Sequence, residues 1–320
     1  MKHFQEIQMI TYGLGIFTNR SKDEQNSSVA SAANIKIPIG LSKEDYYMLL
    51  DATSKIGGIY RYADMFNTTT WNYQDLVNTI NAYFQAFSQK DMKFPTKRDI
   101  TLNINKDLLN VLTSFRFYLD YMDKNLHDDF GKASELVASF RQHCSNEYDN
   151  NFSYRFVYQL RNYAQHKGLV VNSINFGRHL DEENRHQVRH HFKIYINRKD
   201  LLEDKKFKKD LKAELINFPE KIDVMEHFSK WMSSLTRIHI QITHKIIPTG
   251  LEDAKLIKSY ASKLNYNSND DRGVPIISAI DHTIEGIKQI KNPILVPLPI
   301  EDAQKIIDYC QEIRGDPHNI

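Results

Sequence analysis

Two stretches of this 320-residue chain carry large apolar side chains at alternating spacings of four and three residues. Leu108, Leu112, Phe115, Leu119, Met122 and Leu126 form the first; Val224, Phe228, Trp231, Leu235, Ile238 and Ile242 form the second. On a helix of 3.6 residues per turn, such positions make one unbroken apolar stripe. A stripe about five turns long cannot face water, so each helix needs another helix against it. The chain is therefore read as mainly α. Composition agrees, because 12 Gly and 9 Pro against 17 Phe and 17 Tyr leave few turn formers.

The same composition excludes several classes. With 41% hydrophobic and 26% charged residues the chain is not disordered. A net charge of +2 excludes a polybasic protein while leaving room for a local basic face. Cys144 and Cys310 form no C-x-x-C, which excludes a disulfide scaffold and a zinc ribbon and fits a reducing compartment. The start, MKHFQEIQMITYGLGIF, has no apolar core of the signal-peptide kind. No apolar run reaches the roughly 18 residues of a bilayer span, so a soluble, cytoplasmic protein with no membrane partner is expected.

Local signals place the remaining elements. IQMITYGLGIF and IKIPIG read as extended, with a polar loop between them. Ser42 can cap a helix running through Leu49, Thr53, Ile56, Tyr60 and Ala63, with a weak point at Gly57-Gly58. A second helix carries Leu76, Ile80, Tyr83 and Phe87, and SQKDMKFPTKRDITLN marks a boundary. After the first long seam, Gly131 breaks the chain, ASELVASFRQHC starts a helix, and 151–167 forms another, ended by Gly168. LVVNSINFG and HHFKIYINR alternate as a hairpin. Weaker helices at 252–263 and 301–313 flank an extended stretch near 274–299. Three regions follow: 1–98, extended segments plus two helices; 99–250, a helical bundle with a hairpin inserted at about 169–198; and 251–320, an extension packed on the bundle.

The helix from Asn151 ends in Arg161-Asn162-Tyr163-Ala164-Gln165-His166. With 14 Arg and 13 His, about 0.6 R-x4-H matches are expected by chance, and two occur, the other at Arg185 and His190. Requiring Asn after the Arg lowers the expectation to about 0.05. At this point the segment resembles the HEPN superfamily (higher eukaryote and prokaryote nucleotide-binding domains), helical bundles whose late helix often carries an R-N-x-x-x-H-like motif. The likeness covers about residues 100–200 and takes in the helix SFRFYLDYMD. It implies a HEPN-like bundle with small β elements, the N-terminal strands and the hairpin being additions. It also implies a metal-independent ribonuclease without cofactor, acting as a homodimer in bacterial toxin or antiphage defence beside an antitoxin or defence partner protein.

The residues support the same chemistry. RNA carries its own nucleophile, the 2′-OH, so cleavage needs a base, an acid and a cation for the phosphorane charge. His166 can supply proton transfer near neutral pH, Arg161 a forked phosphate clamp, and Asn162, four residues before His166, an orienting hydrogen bond to the imidazole or the substrate. Positions five apart on a helix differ by about 140°, so Arg161 and His166 do not share a face, and a two-fold pair could bring one chain's Arg to the other's His. Tyr154 and Tyr158 extend the stripe of His166 and could pack at the dimer seam or stack a base. Lys167, Arg185 and Arg189 join Tyr158 as candidate RNA contacts. The stretch 185–212 holds ten Lys+Arg against four acids, an RNA rim or a solvated face. Arg116 and Asp120 read as an i, i+4 pair of the surface kind. The rival reading is a non-catalytic HEPN module binding RNA, a nucleotide or a protein. Arg, Asn and His at a helix end can also serve only its last carbonyls.

Overall fold

A computed structural model describes residues 9–18, 34–88, 95–180, 188–264, 273–284 and 287–315. The chain divides into two compact units, one of 62–244 and one made from 1–61 and 245–320. This differs from the boundaries read near 98 and 250.

In the unit built from both ends of the chain, β1 (Met9–Thr18) lies between β2 (Asn34–Gly40) and β6 (Pro275–Ile284), and β7 (Ile287–Pro297) closes the sheet in the order β2-β1-β6-β7. Every pairing is antiparallel, with Leu14 opposite Ile276 and Gly13 opposite Ile277 on β6. Gly13 has a steric reason: a Cβ there would stand 2.7 Å from the Ile39 carbonyl oxygen and collide with the Ile37 side chain. Leu14, Val274 and Ile276 share a core with Leu49, Ala52 and Ile56 of α1 (Lys43–Ser88), Ala254 and Ile257 of α8 (Leu251–Ala261), and Ala303 and Ile306 of α9 (Ile300–Gly315).

The expected weak point at Gly57-Gly58 does not interrupt α1, which runs unbroken for 46 residues. Each glycine costs about 1 kcal/mol relative to alanine, less than the burial of Leu49, Ala52 and Ile56 on the preceding turns returns. Ser42 caps this helix as read, its Oγ accepting from the Asp45 amide at 3.0 Å.

The 62–244 unit is the helical bundle. It contains α2 (Lys97–Phe130), α3 (Glu135–Asn150), α4 (Phe152–Lys167), α5 (Arg198–Glu203), α6 (Lys209–Leu215) and most of α7 (Val224–Ile246). All twelve residues of the two seams are buried. Their partners are each other and α4: Phe115 of α2 meets Trp231 of α7 edge-on at 5.0 Å and Tyr154 of α4 at 5.8 Å. The later turns of α1 join them, Phe66 stacking on His239 of α7 at 4.0 Å and Tyr62 donating to Asp129 of α2 at 2.7 Å. The α2 helix starts earlier than its seam, because Thr96 caps it by accepting from the Asp99 amide.

The hairpin forms as expected from β3 (Ser173–Leu180) and β4 (Val188–Asn197), with β5 (Lys221–Asp223) as a third strand. The protein is thus mainly α with small antiparallel β elements. Among the described residues no helix is long and apolar enough to cross a membrane.

Candidate functional site

The α4 helix is fixed at both ends. Asn151 caps its start, its Oδ1 accepting from the Tyr154 amide at 3.3 Å while its Nδ2 donates to Ser234 Oγ of α7 at 2.7 Å. Arg155 adds a fork, donating to both carboxylate oxygens of Glu214 on α6 at 3.0 and 2.9 Å and to the Tyr148 and Asp149 carbonyls. At the other end Gly168 takes a φ of +106°, a conformation L side chains rarely adopt, and its amide donates to the Ala164 carbonyl. Three residues on, Val171 is held by Asn105 of α2, which accepts its N–H at 2.9 Å and donates to its C=O at 2.8 Å.

Between those anchors Phe156, Val157, Leu160 and Ala164 face the core, and the motif residues fall on the remaining arc. Arg161 and Asn162 are half-buried, whereas His166 and Lys167 are exposed on the last turn. Arg161 Nη1 donates to Gln165 Oε1 at 2.5 Å and to Asn162 Oδ1 at 3.4 Å. Asn162 therefore orients the arginine; among the described residues it makes no hydrogen bond to His166. Arg161 and Asn162 line a narrow crevice with Phe115, Arg116 and Tyr158, and His166 lies outside it. The separation expected from five-residue spacing on a helix is present.

The sequence reads Arg116 as half of a surface pair, with support of His166 as the lesser alternative. It does form that pair, bonding Asp120 through Nε at 2.9 Å and Nη2 at 2.7 Å, and it also donates from Nη1 to the Tyr158 hydroxyl at 2.6 Å. It thus ties α2 to α4 and puts a second guanidinium beside Arg161.

Arg116 and Tyr158 also line a larger cavity of about 410 Å³ among α2, α3 and α4. Its α3 side brings Arg141, which grips Asp123 with both arms at 2.6 and 2.9 Å and holds that carboxyl below its ordinary range. Lys208 donates to the Tyr148 hydroxyl at 2.6 Å. Tyr154, at 1% exposure, is covered by the chain's own core and so does not belong to a dimer seam. Its hydroxyl is buried without a hydrogen-bond partner among the described residues. The Cys144 thiol, a weak acceptor, lies beside it, and burial pushes that thiol up to about 12. Such a thiol is inert as a nucleophile.

The basic stretch behind the motif divides in use. Arg198 is spent on the Ile216 and Phe218 carbonyls at the end of α6, Lys193 pairs with Asp223, and Lys199 with Glu203. Arg189 lies on β4 opposite His179, and Arg185 falls outside the described residues, as does His186. Three features of the site escaped the sequence. The Arg141–Asp123 grip and the Lys208–Tyr148 bond join elements with no periodic relation, and Asn105 sits on the polar margin of an apolar seam. Tyr154 and Tyr158 had a signal in their four-residue spacing, as did the Arg116–Asp120 pair and the Arg161-Asn162 motif.

Compared with known proteins, the chain matches no family model, no curated protein and no solved structure.

Proposed function

We infer that the protein is a HEPN-type, metal-independent endoribonuclease. The observation that carries this reading is the arrangement of Arg161-Asn162-x-x-x-His166 at the end of a core-anchored helix, with Arg161 and Arg116 in one crevice and His166 open to solvent. His166 takes the proton from a ribose 2′-OH, or returns one to the departing 5′-oxygen. The 2′-oxygen attacks phosphorus, the bond to the 5′-oxygen breaks, and the products are a 2′,3′-cyclic phosphate and a 5′-hydroxyl. Arg161 neutralises the phosphorane oxygens. One chain holds its Arg and His on different faces, so two copies arranged two-fold supply the pair, making a homodimer the working unit. Lys167, exposed beside His166, and Tyr158 contribute RNA contacts, and Arg185 and Arg189 add charge from the basic stretch. The setting is bacterial toxin or antiphage defence in the cytoplasm, with an antitoxin or defence protein as regulator.

One observation favours the alternative, a non-catalytic HEPN module: Arg161 already has side-chain partners within its own helix, Gln165 and Asn162. Cleavage of total RNA by wild type, Arg161→Ala and His166→Ala, each with and without EDTA, separates the two. The expected result is EDTA-resistant cleavage that falls about a hundredfold or more in either variant. Cleavage retained in both variants, from folded dimers, overturns the assignment.

A further inference from the structure

The hairpin that follows the motif helix has one closed face and one open face. On the closed side Phe176 meets Phe87 of α1 at 4.9 Å, Phe192 lies nearly parallel to Tyr83 at 6.3 Å, and Ile174, Ile194 and Ile196 are buried. Alternate residues form the other side: Ser173, Asn175 and Gly177 of β3, His191, Lys193 and Tyr195 of β4, and Lys221 and Asp223 of β5. Asn175, Lys193 and Lys221 are exposed there, and His191 and Tyr195 are half-buried.

A merely solvated face does not account for two features of this surface. It carries two rings where threonine would form strand as well. It also carries a glycine inside a strand, which weakens pairing and marks close approach. A Cβ on Gly177 would stand 2.7 Å from His191 Cε1 and 3.1 Å from Nε2. The bare position lets the His191 ring lie across the neighbouring strand, with Nε2 3.4 Å from Asn175 Oδ1.

Tyr195 is four residues farther along β4, about 13 Å at the rise of a strand, and Lys193 stands between the two rings. Lys193 pairs with Asp223 at 3.4 Å, but that carboxylate also accepts the Met225 amide at the start of α7. An exposed pair of this kind is weak and leaves the ammonium donors for another anion. Glu226, on the same turn, is taken by Lys230 at 2.7 Å. Arg189 holds the next alternate position of β4, within the stretch of ten Lys+Arg against four acids. Rings spaced by cations suit a polyanion whose bases are free to stack, which a single strand offers and a duplex does not.

We propose that the open face of the β3–β4 hairpin is a platform for a single-stranded RNA segment flanking the cut, with bases stacked on Tyr195 and His191 and a phosphate on Lys193. That the strand is RNA rests on the ribonuclease reading; the stacking does not. Tyr195 pairs with Ser173, six residues beyond Lys167, so the platform begins within about 22 Å of the end of the motif helix.

The test is fluorescence anisotropy over a salt series with a short labelled RNA, single-stranded or annealed to its complement. The full chain carries His166→Ala so that the probe is not cut. The single strand is expected to bind about tenfold more tightly than the duplex. Tyr195→Val and His191→Val should each weaken it about tenfold, while Tyr195→Phe, which keeps the ring, stays within about twofold. Gly177→Val, which displaces the His191 ring, should match His191→Val, and these two carry the test if Tyr195→Val does not fold. Lys193→Gln should reduce the slope of log affinity against log salt by about 0.7. Equal binding of the two probes overturns the platform even if the wild type cuts RNA. So does salt-sensitive binding indifferent to the ring variants in a folded protein, the behaviour of a face for an acidic partner protein. Ring-dependent binding by a chain whose wild type cuts no RNA upholds the platform and removes the ribonuclease.

Discussion

Replacing Asn105 by leucine removes three hydrogen bonds while keeping the number and branching of the side chain's heavy atoms. Asn105 is fully buried on α2, and its amide accepts from the Val171 N–H and donates to the Val171 and Thr101 carbonyls, at 2.8–2.9 Å. The Thr101 carbonyl is in a helix and has the backbone ladder as a second partner. Val171, 1% exposed, has no such reserve on the side facing α2. Its N–H and C=O would both be left buried and unpaired, at about 1–3 kcal/mol each, so the expected loss is about 4 kcal/mol. The assay is urea unfolding with the m value held as a control, together with hydrogen exchange at the Val171 amide, which should lose its protection. A loss below about 1 kcal/mol, with that amide still protected, would show that the chain leaving the motif helix is held by something other than Asn105.

Two further perturbations probe the same unit. Burial pushes His239 down to about 4, its ring stacked on Phe66 with the Tyr118 and Thr243 hydroxyls at its nitrogens. Its folded value lies below its unfolded value of about 6.5, so the unfolded chain binds the proton more readily. The stability this contributes is present above pH 6.5 and is lost as pH falls towards 4, to the extent of about 3 kcal/mol; a His239→Gln variant should flatten that part of a stability–pH curve. At Arg155, the lysine variant keeps the charge but cannot fork onto Glu214 and two carbonyls together. Arg155→Lys should cost about 2 kcal/mol by thermal unfolding, and Glu214→Gln, at a more exposed position, less than about 1 kcal/mol.

How far the chain could be read in advance followed from the range of the forces involved. The two seams were plain because helical periodicity is local, and Ser42 and Gly168 showed where helices begin and end for the same reason. The hairpin after the motif was visible as alternation. The partnership of β1 with β6 was not, since nothing in either strand specifies a mate so far along the chain. The continuity of α1 was missed because two adjacent glycines argue against a helix locally, and only the apolar residues around them outweigh that. At the site, the face each motif residue would occupy could be computed from its position, and Arg161 and His166 diverge accordingly. The Arg116–Asp120 pair was visible as i, i+4, but its bond to Tyr158 depended on how α2 and α4 cross. The cavity could not be read at all, being a product of three helices meeting.

The pairing of Leu14 with Ile276 sets an order in time as well as in space. During synthesis β1 emerges from the ribosome first, yet the strand it must zip against is made near the end. The contiguous 62–244 segment has all its own partners in hand long before then. Its helices meet over short chain separations, the kind of contact that forms quickly, whereas closing the sheet must wait for the last strands. For most of translation the nascent chain thus carries a finished bundle tethered to a β1–β2 pair whose second β1 edge is still open. The β1 edge that awaits β6, on a strand carrying Ile10, Tyr12 and Ile16, is the segment most in need of shelter until the chain is released.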